Sequence, residues 1–76
     1  METILGILGE IRPEFDFRAS GDYLRDGMLD SLDVVMLVSA LDRHFGISID
    51  GVQITPENFR NMDAIVALLR KQGVRL

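Results

Sequence analysis

Residues 31–45 place the tightest constraint on what this chain can become. Val34, Leu37, Val38, Leu41 and Phe45 lie 3, 4, 7 and 11 positions along from the first of them, the stripe that an α-helix turns toward a core. Gly46 follows, and glycine is favoured just past a helix end because it accepts a positive φ without a Cβ clash. The spacing predicts a helix from Ser31 or Leu32 to Phe45. Leu32, Val35 and Met36 form another apolar face at its start, relieved only later by Ser39, Asp42 and Arg43. A chain of 76 residues has too small a core to bury both faces. The second face is left for the segment before the helix, for a second copy of the chain, or for a transient partner.

The remaining pattern is also helical. Ile4, Ile7, Leu8 and Ile11 fall on one helical face, so a first helix is expected over Glu2 to Arg12, with Pro13 marking its end. Gly6 and Gly9 each weaken it by about 1 kcal/mol relative to alanine. Either tertiary packing holds this helix, or a close neighbour requires the glycines. A long connection from Glu14 to Asp30 follows, with Leu24, Met28 and Leu29 available to pin it to the bundle; loops of this length are often functional. Thr55 and Pro56 open a short helical turn ending at Phe59, with Thr55 as its N-cap. A final helix begins after Asn61 on the stripe Met62, Ile65, Val66 and Leu69, with Asp63 and the pair Arg70 and Lys71 at the ends that suit their charges. Ile47 and Ile49 alternate too briefly for a strand. The expected fold is an all-α bundle of three main helices and one short one, a single domain over residues 1–76.

Composition narrows the function classes. There is no cysteine, hence no disulfide framework and no thiolate zinc site, and any thiol chemistry must come from a prosthetic group. A net charge of −4 disfavours nucleic acid, whose readers need a concentrated basic face. The apolar run Ile4 to Ile11 is too short to span a bilayer and lacks the marks of a signal peptide, so a soluble cytoplasmic protein without membrane insertion is expected. Asp22, Asp26, Asp30 and Asp33 cluster in the sequence, but a loop counted from Asp26 puts Met28 third and Leu37 twelfth, which is no calcium loop. These aspartates read as a solvated rim.

Ser31 is the residue placed for chemistry. The run Asp26-Gly27-Met28-Leu29-Asp30-Ser31-Leu32 brings a hydroxyl to a helix start, where backbone N–H groups and the dipole favour an added phosphate. The plainer reading makes Ser31, or Asp30 before it, an N-cap. A capping box on Ser31 would want Glu or Gln at position 34, which is Val34. A hydrolase is excluded because the sole histidine, His44, lies 13 residues further along the same helix, roughly 20 Å away. His44 fits a plain electrostatic role at the helix C-terminus.

Asp30-Ser31-Leu32, preceded by Gly27-Met28-Leu29 and followed by the stripe Val34 to Phe45, resembles the attachment motif of the acyl carrier and peptidyl carrier protein family, and the likeness extends over nearly the whole chain. The resemblance implies that a phosphopantetheinyl transferase moves 4'-phosphopantetheine from coenzyme A onto Ser31. The arm's thiol then holds an acyl or aminoacyl thioester, and the protein is a substrate of other enzymes and no enzyme itself. It implies Asp30 as the flanking motif residue offered to basic partners. Leu32, Val35, Met36 and Ser39 would form the docking surface for an acyl- or aminoacyl-activating ligase and a downstream acyltransferase or synthase, with the carrier itself a monomer. Met36, Ser39, Arg43 and His44 stand where carriers of fatty acid synthesis are usually more acidic, and Ile54-Thr55-Pro56-Glu57-Asn58-Phe59 is similar to the third-helix region of aminoacyl and D-alanyl carriers. Aminoacyl, peptidyl or D-alanyl cargo is therefore preferred. The rival from another class is an unmodified helical interaction module or homodimer, in which Ser31 only caps a helix.

Overall fold

The computed structural model describes residues 2–76, and every regular element in that span is helical. The elements are α1 (Glu2–Ile11), α2 (Ser31–Phe45), a 3-10 turn (Gly51–Gln53), α3 (Pro56–Phe59) and α4 (Met62–Lys71). The first four of the five residues of the expected stripe on α2, Val34, Leu37, Val38 and Leu41, are buried, whereas Phe45 is only half-buried and stacks edge-on against His44 at 4.8 Å between ring centres. Gly46 ends the helix at φ 66° and donates its N–H to the Asp42 carbonyl, the left-handed closure that glycine makes cheaply.

Helix α1 packs on α2 through Ile4 and Leu8, both fully buried. The two glycines cost this helix about 2 kcal/mol together, and burial of Ile4 and Leu8 contributes about 3–6 kcal/mol, so packing wins. No atom lies within 4 Å of where a Cβ would sit on Gly6 or Gly9. Of the two explanations for these glycines, close approach by a neighbour is the wrong one. The helix ends at Ile11, one residue earlier than expected, with the Arg12 N–H still bonded to the Leu8 carbonyl at 2.9 Å.

The connection over residues 12–30 is part of the core. Phe17, Tyr23, Met28 and Leu29 are buried, while Leu24 is only half-buried. The rings of Phe17 and Tyr23 meet edge to face at 5.0 Å, a favoured aromatic geometry. Backbone bonds fix the segment: Tyr23 N–H donates to the Arg60 carbonyl, and Met28 and Leu29 N–H both donate to the Tyr23 carbonyl at 2.8 and 3.1 Å. Burial raises the Tyr23 hydroxyl above its ordinary pKa; the Met62 backbone opposes this shift and Asp63 adds to it.

At the other end, Thr55 occupies the N-cap position of α3 but its hydroxyl makes no capping bond. Asn61 does cap α4, its side-chain oxygen accepting the Ala64 N–H at 2.8 Å. Ile65, Val66, Leu68 and Leu69 of α4 are buried, and Met62 is half-buried. Among the described residues, no helix is long and apolar enough to cross a membrane.

Candidate functional site

The candidate site is the start of α2, and its geometry follows from the segment that precedes it. Gly27 takes φ 73°, turning the chain so that Met28 and Leu29 enter the core and Asp30 arrives in extended backbone at the helix start. Asp30 is the N-cap, which makes Ser31 the first residue inside the helix. The capping box is complete, on a register one residue earlier than a Ser31 cap would use. Asp30 Oδ1 accepts the Asp33 N–H at 2.8 Å, and Asp33 Oδ2 accepts the Asp30 N–H at 3.1 Å. Such reciprocal bonds satisfy two otherwise orphaned donors.

With Asp30 doing the capping, the Ser31 side chain makes no hydrogen bond among the described residues. Ser31 is exposed, and neither its N–H nor that of Leu32 has an acceptor among the described residues. A phosphate ester on the Ser31 oxygen therefore meets open space, two free N–H donors and the positive end of a 15-residue helix. The residues present fit the arm, although the neighbouring carboxylates of Asp30 and Asp33 would oppose its charge.

Arg12 answers those carboxylates. From the end of α1 its Nε donates to Asp33 Oδ2 at 2.8 Å, Nη2 to Asp30 Oδ2 at 3.3 Å, and Nη1 to Glu14 Oε2 at 3.5 Å. Asp33 is 5% exposed, so it is not part of a solvated rim. Burial alone would raise its carboxyl, but the Asp30 N–H and the Arg12 guanidinium outweigh it and hold the group below its ordinary value. Hydrogen bonding to Asp33, then its charge, raises Arg12. Neither Arg12 nor the buried role of Asp33 was foreseen from sequence. The available signal was Asp30 and Asp33 three apart, the capping spacing counted from the correct cap.

The other aspartates go elsewhere. Asp22 accepts the Arg25 N–H at 2.9 Å and Asp26 accepts the Ser20 hydroxyl. No group of three or more His, Cys, Asp or Glu among the described residues could hold a metal ion. His44 lies at the opposite end of α2 from Ser31.

Leu32, Val35 and Met36 are 67%, 56% and 47% exposed, and Ser39 is exposed one turn further along. These four residues share one face of α2, beginning beside Ser31. The segment over residues 12–30 turns Phe17, Tyr23, Met28 and Leu29 into the core, leaves Phe15 exposed, and does not cover this face.

The family model described as "Phosphopantetheine attachment site" matches residues 1–69. No curated protein and no solved structure matches the chain. The match covers most of the sequence, and the chain belongs to this phosphopantetheine-carrying family, whose members carry cargo for enzymes and do not catalyse its chemistry themselves.

Proposed function

We propose that this phosphopantetheine carrier takes its arm on Ser31 and presents aminoacyl or peptidyl cargo from it, with the whole of residues 1–76 acting as one monomeric carrier domain. The observation that carries the assignment is the exposed Ser31 hydroxyl at the first position of α2, freed from capping by Asp30. On modification, the Ser31 oxygen forms the phosphodiester, its proton is lost and adenosine bisphosphate leaves from coenzyme A. The transferase supplies the base, since His44 is at the far end of the helix. When attached, the arm supplies the thiol that this cysteine-free chain lacks.

Carriers of this family meet phosphopantetheinyl transferases and acyl-processing enzymes. For this chain we assign the contact to Leu32, Val35, Met36 and Ser39, reading them as the surface on which a transferase, an aminoacyl-activating ligase and a downstream acyltransferase or synthase dock in turn. Exposed apolar residues at helical spacing suit an apolar pocket on a partner. The preference for aminoacyl over fatty acyl cargo rests on the uncharged outer face and on the basic pair Arg43 and His44 at the end of α2. The site would be the cytoplasm, where coenzyme A is available.

Intact mass after incubation with coenzyme A and a broad-specificity transferase tests the attachment. One phosphopantetheine should be gained by the wild type and none by Ser31→Ala. A gain in the mutant, or none in the wild type while a control carrier is modified, would remove Ser31 from its role.

A further inference from the structure

All three ion pairs among the described residues belong to one side chain, Arg12. Arg12 holds together what the sequence keeps 18 and 21 residues apart, the end of α1 and the two carboxylates at the start of α2. Asp30 directly precedes Ser31, and Asp33 lies two residues beyond it.

Attachment of the arm at Ser31 adds a third negative charge to this turn of helix, that of the phosphodiester. The helix dipole offsets each exposed anion there only modestly, and like charges one turn apart cost a comparable amount. A cation held in place adds to the screening by water and mobile ions. Guanidinium nitrogens already lie 3.3 Å from Asp30 Oδ2 and 2.8 Å from Asp33 Oδ2, with 36% of the Arg12 side chain open to solvent. Arg12 touches Asp30, the residue next to Ser31, and charges in such proximity interact across water on the scale of a Debye length, about 8 Å at physiological salt. Arginine suits the position better than lysine, because its planar fork bonds two carboxylates at once and keeps its charge.

We propose that Arg12 is the countercharge of the attachment site, compensating the third negative charge at the start of α2 and thereby coupling the modification state of Ser31 to the docking of α1. This rests on the reading of Ser31 given above. Arg12 acts through Asp30 and Asp33 and through its charge, and is a positioning residue.

A thermodynamic cycle tests it. Wild type and Arg12→Gln are each unfolded in urea at low salt, before and after conversion with coenzyme A and transferase, with conversion verified by intact mass. Conversion should raise the unfolding equilibrium constant of Arg12→Gln about threefold more than that of wild type, the scale of one exposed charge interaction. The excess should disappear in salt of roughly 0.5 M or more. Equal effects of conversion in the two proteins would overturn the countercharge while leaving the attachment intact. Failure of the wild type to gain mass would overturn the attachment reading and this proposal with it. A second readout needs no variant: the Arg12 Nε–H resonance of the wild type should move on conversion while that of Arg75 does not. An unmoved Arg12 resonance would overturn the proposal even if Arg12→Gln did not fold.

Discussion

The two faces of α2 are built from the same kinds of residue and have different environments. Val34, Leu37, Val38 and Leu41 on the inner face are at most 8% exposed, while Leu32, Val35 and Met36 on the outer face are all near half exposed or more. Hydrophobicity alone does not separate the two sets. Their position relative to α1 and the buried connection does, because a domain this small fills its interior with one stripe and leaves the other in water. The inner face belongs to the stability of the chain. The outer face begins at Ser31, and we assign it to other molecules.

Substitutions should break or sharpen this contrast in a definite order. Leu37→Ala opens a fully buried position and should cost about 2–5 kcal/mol in urea denaturation; a cost below 1 kcal/mol would mean that the inner face is not the core. Asp33→Asn weakens the capping box and the Arg12 bond and should cost about 1 kcal/mol at neutral pH. Because the folded carboxyl of Asp33 is held below its ordinary value, its contribution is fully present above the unfolded pKa of about 3.9 and is lost as pH falls through the folded value. Wild type and Asp33→Asn should therefore converge in stability in acid, and a gap that persists there would contradict the shift. Gly6→Ala, exposed and free of neighbours within 4 Å, should stabilise by about 1 kcal/mol; destabilisation would point to a contact on that side of α1. Met36→Glu on the outer face should change stability by no more than about 0.5 kcal/mol.

The division between the faces was legible in the sequence because it is a matter of period. The stripe, the stop at Gly46 and the surplus face at Leu32, Val35 and Met36 all lie within one helix, and the start of that helix at Ser31 was legible with them. What could not be read locally were contacts across the chain. The Arg12 clamp spans 21 residues, and no periodicity connects an arginine after one helix to an aspartate inside the next. The same holds for Phe17 and Tyr23, whose burial depends on the connection folding back onto the link between α3 and α4, with the Tyr23 N–H bonded to the Arg60 carbonyl and the Gly21 carbonyl accepting from Asn61 Nδ2. The capping box was missed for a smaller reason: with Asp30 as the cap, the third helical residue is Asp33 and not Val34. The short turn Gly51–Gln53 left no apolar pattern to follow.

The separation of duties between the faces is tested most directly by the rate at which a phosphopantetheinyl transferase modifies Met36→Glu, measured beside wild type at a temperature where both are fully folded. The expected result is a fall of about tenfold in kcat/KM, on the scale of losing one central interface contact, with the urea midpoint unchanged. An unchanged rate on a fully modified Ser31 would contradict the assignment of the outer face to docking.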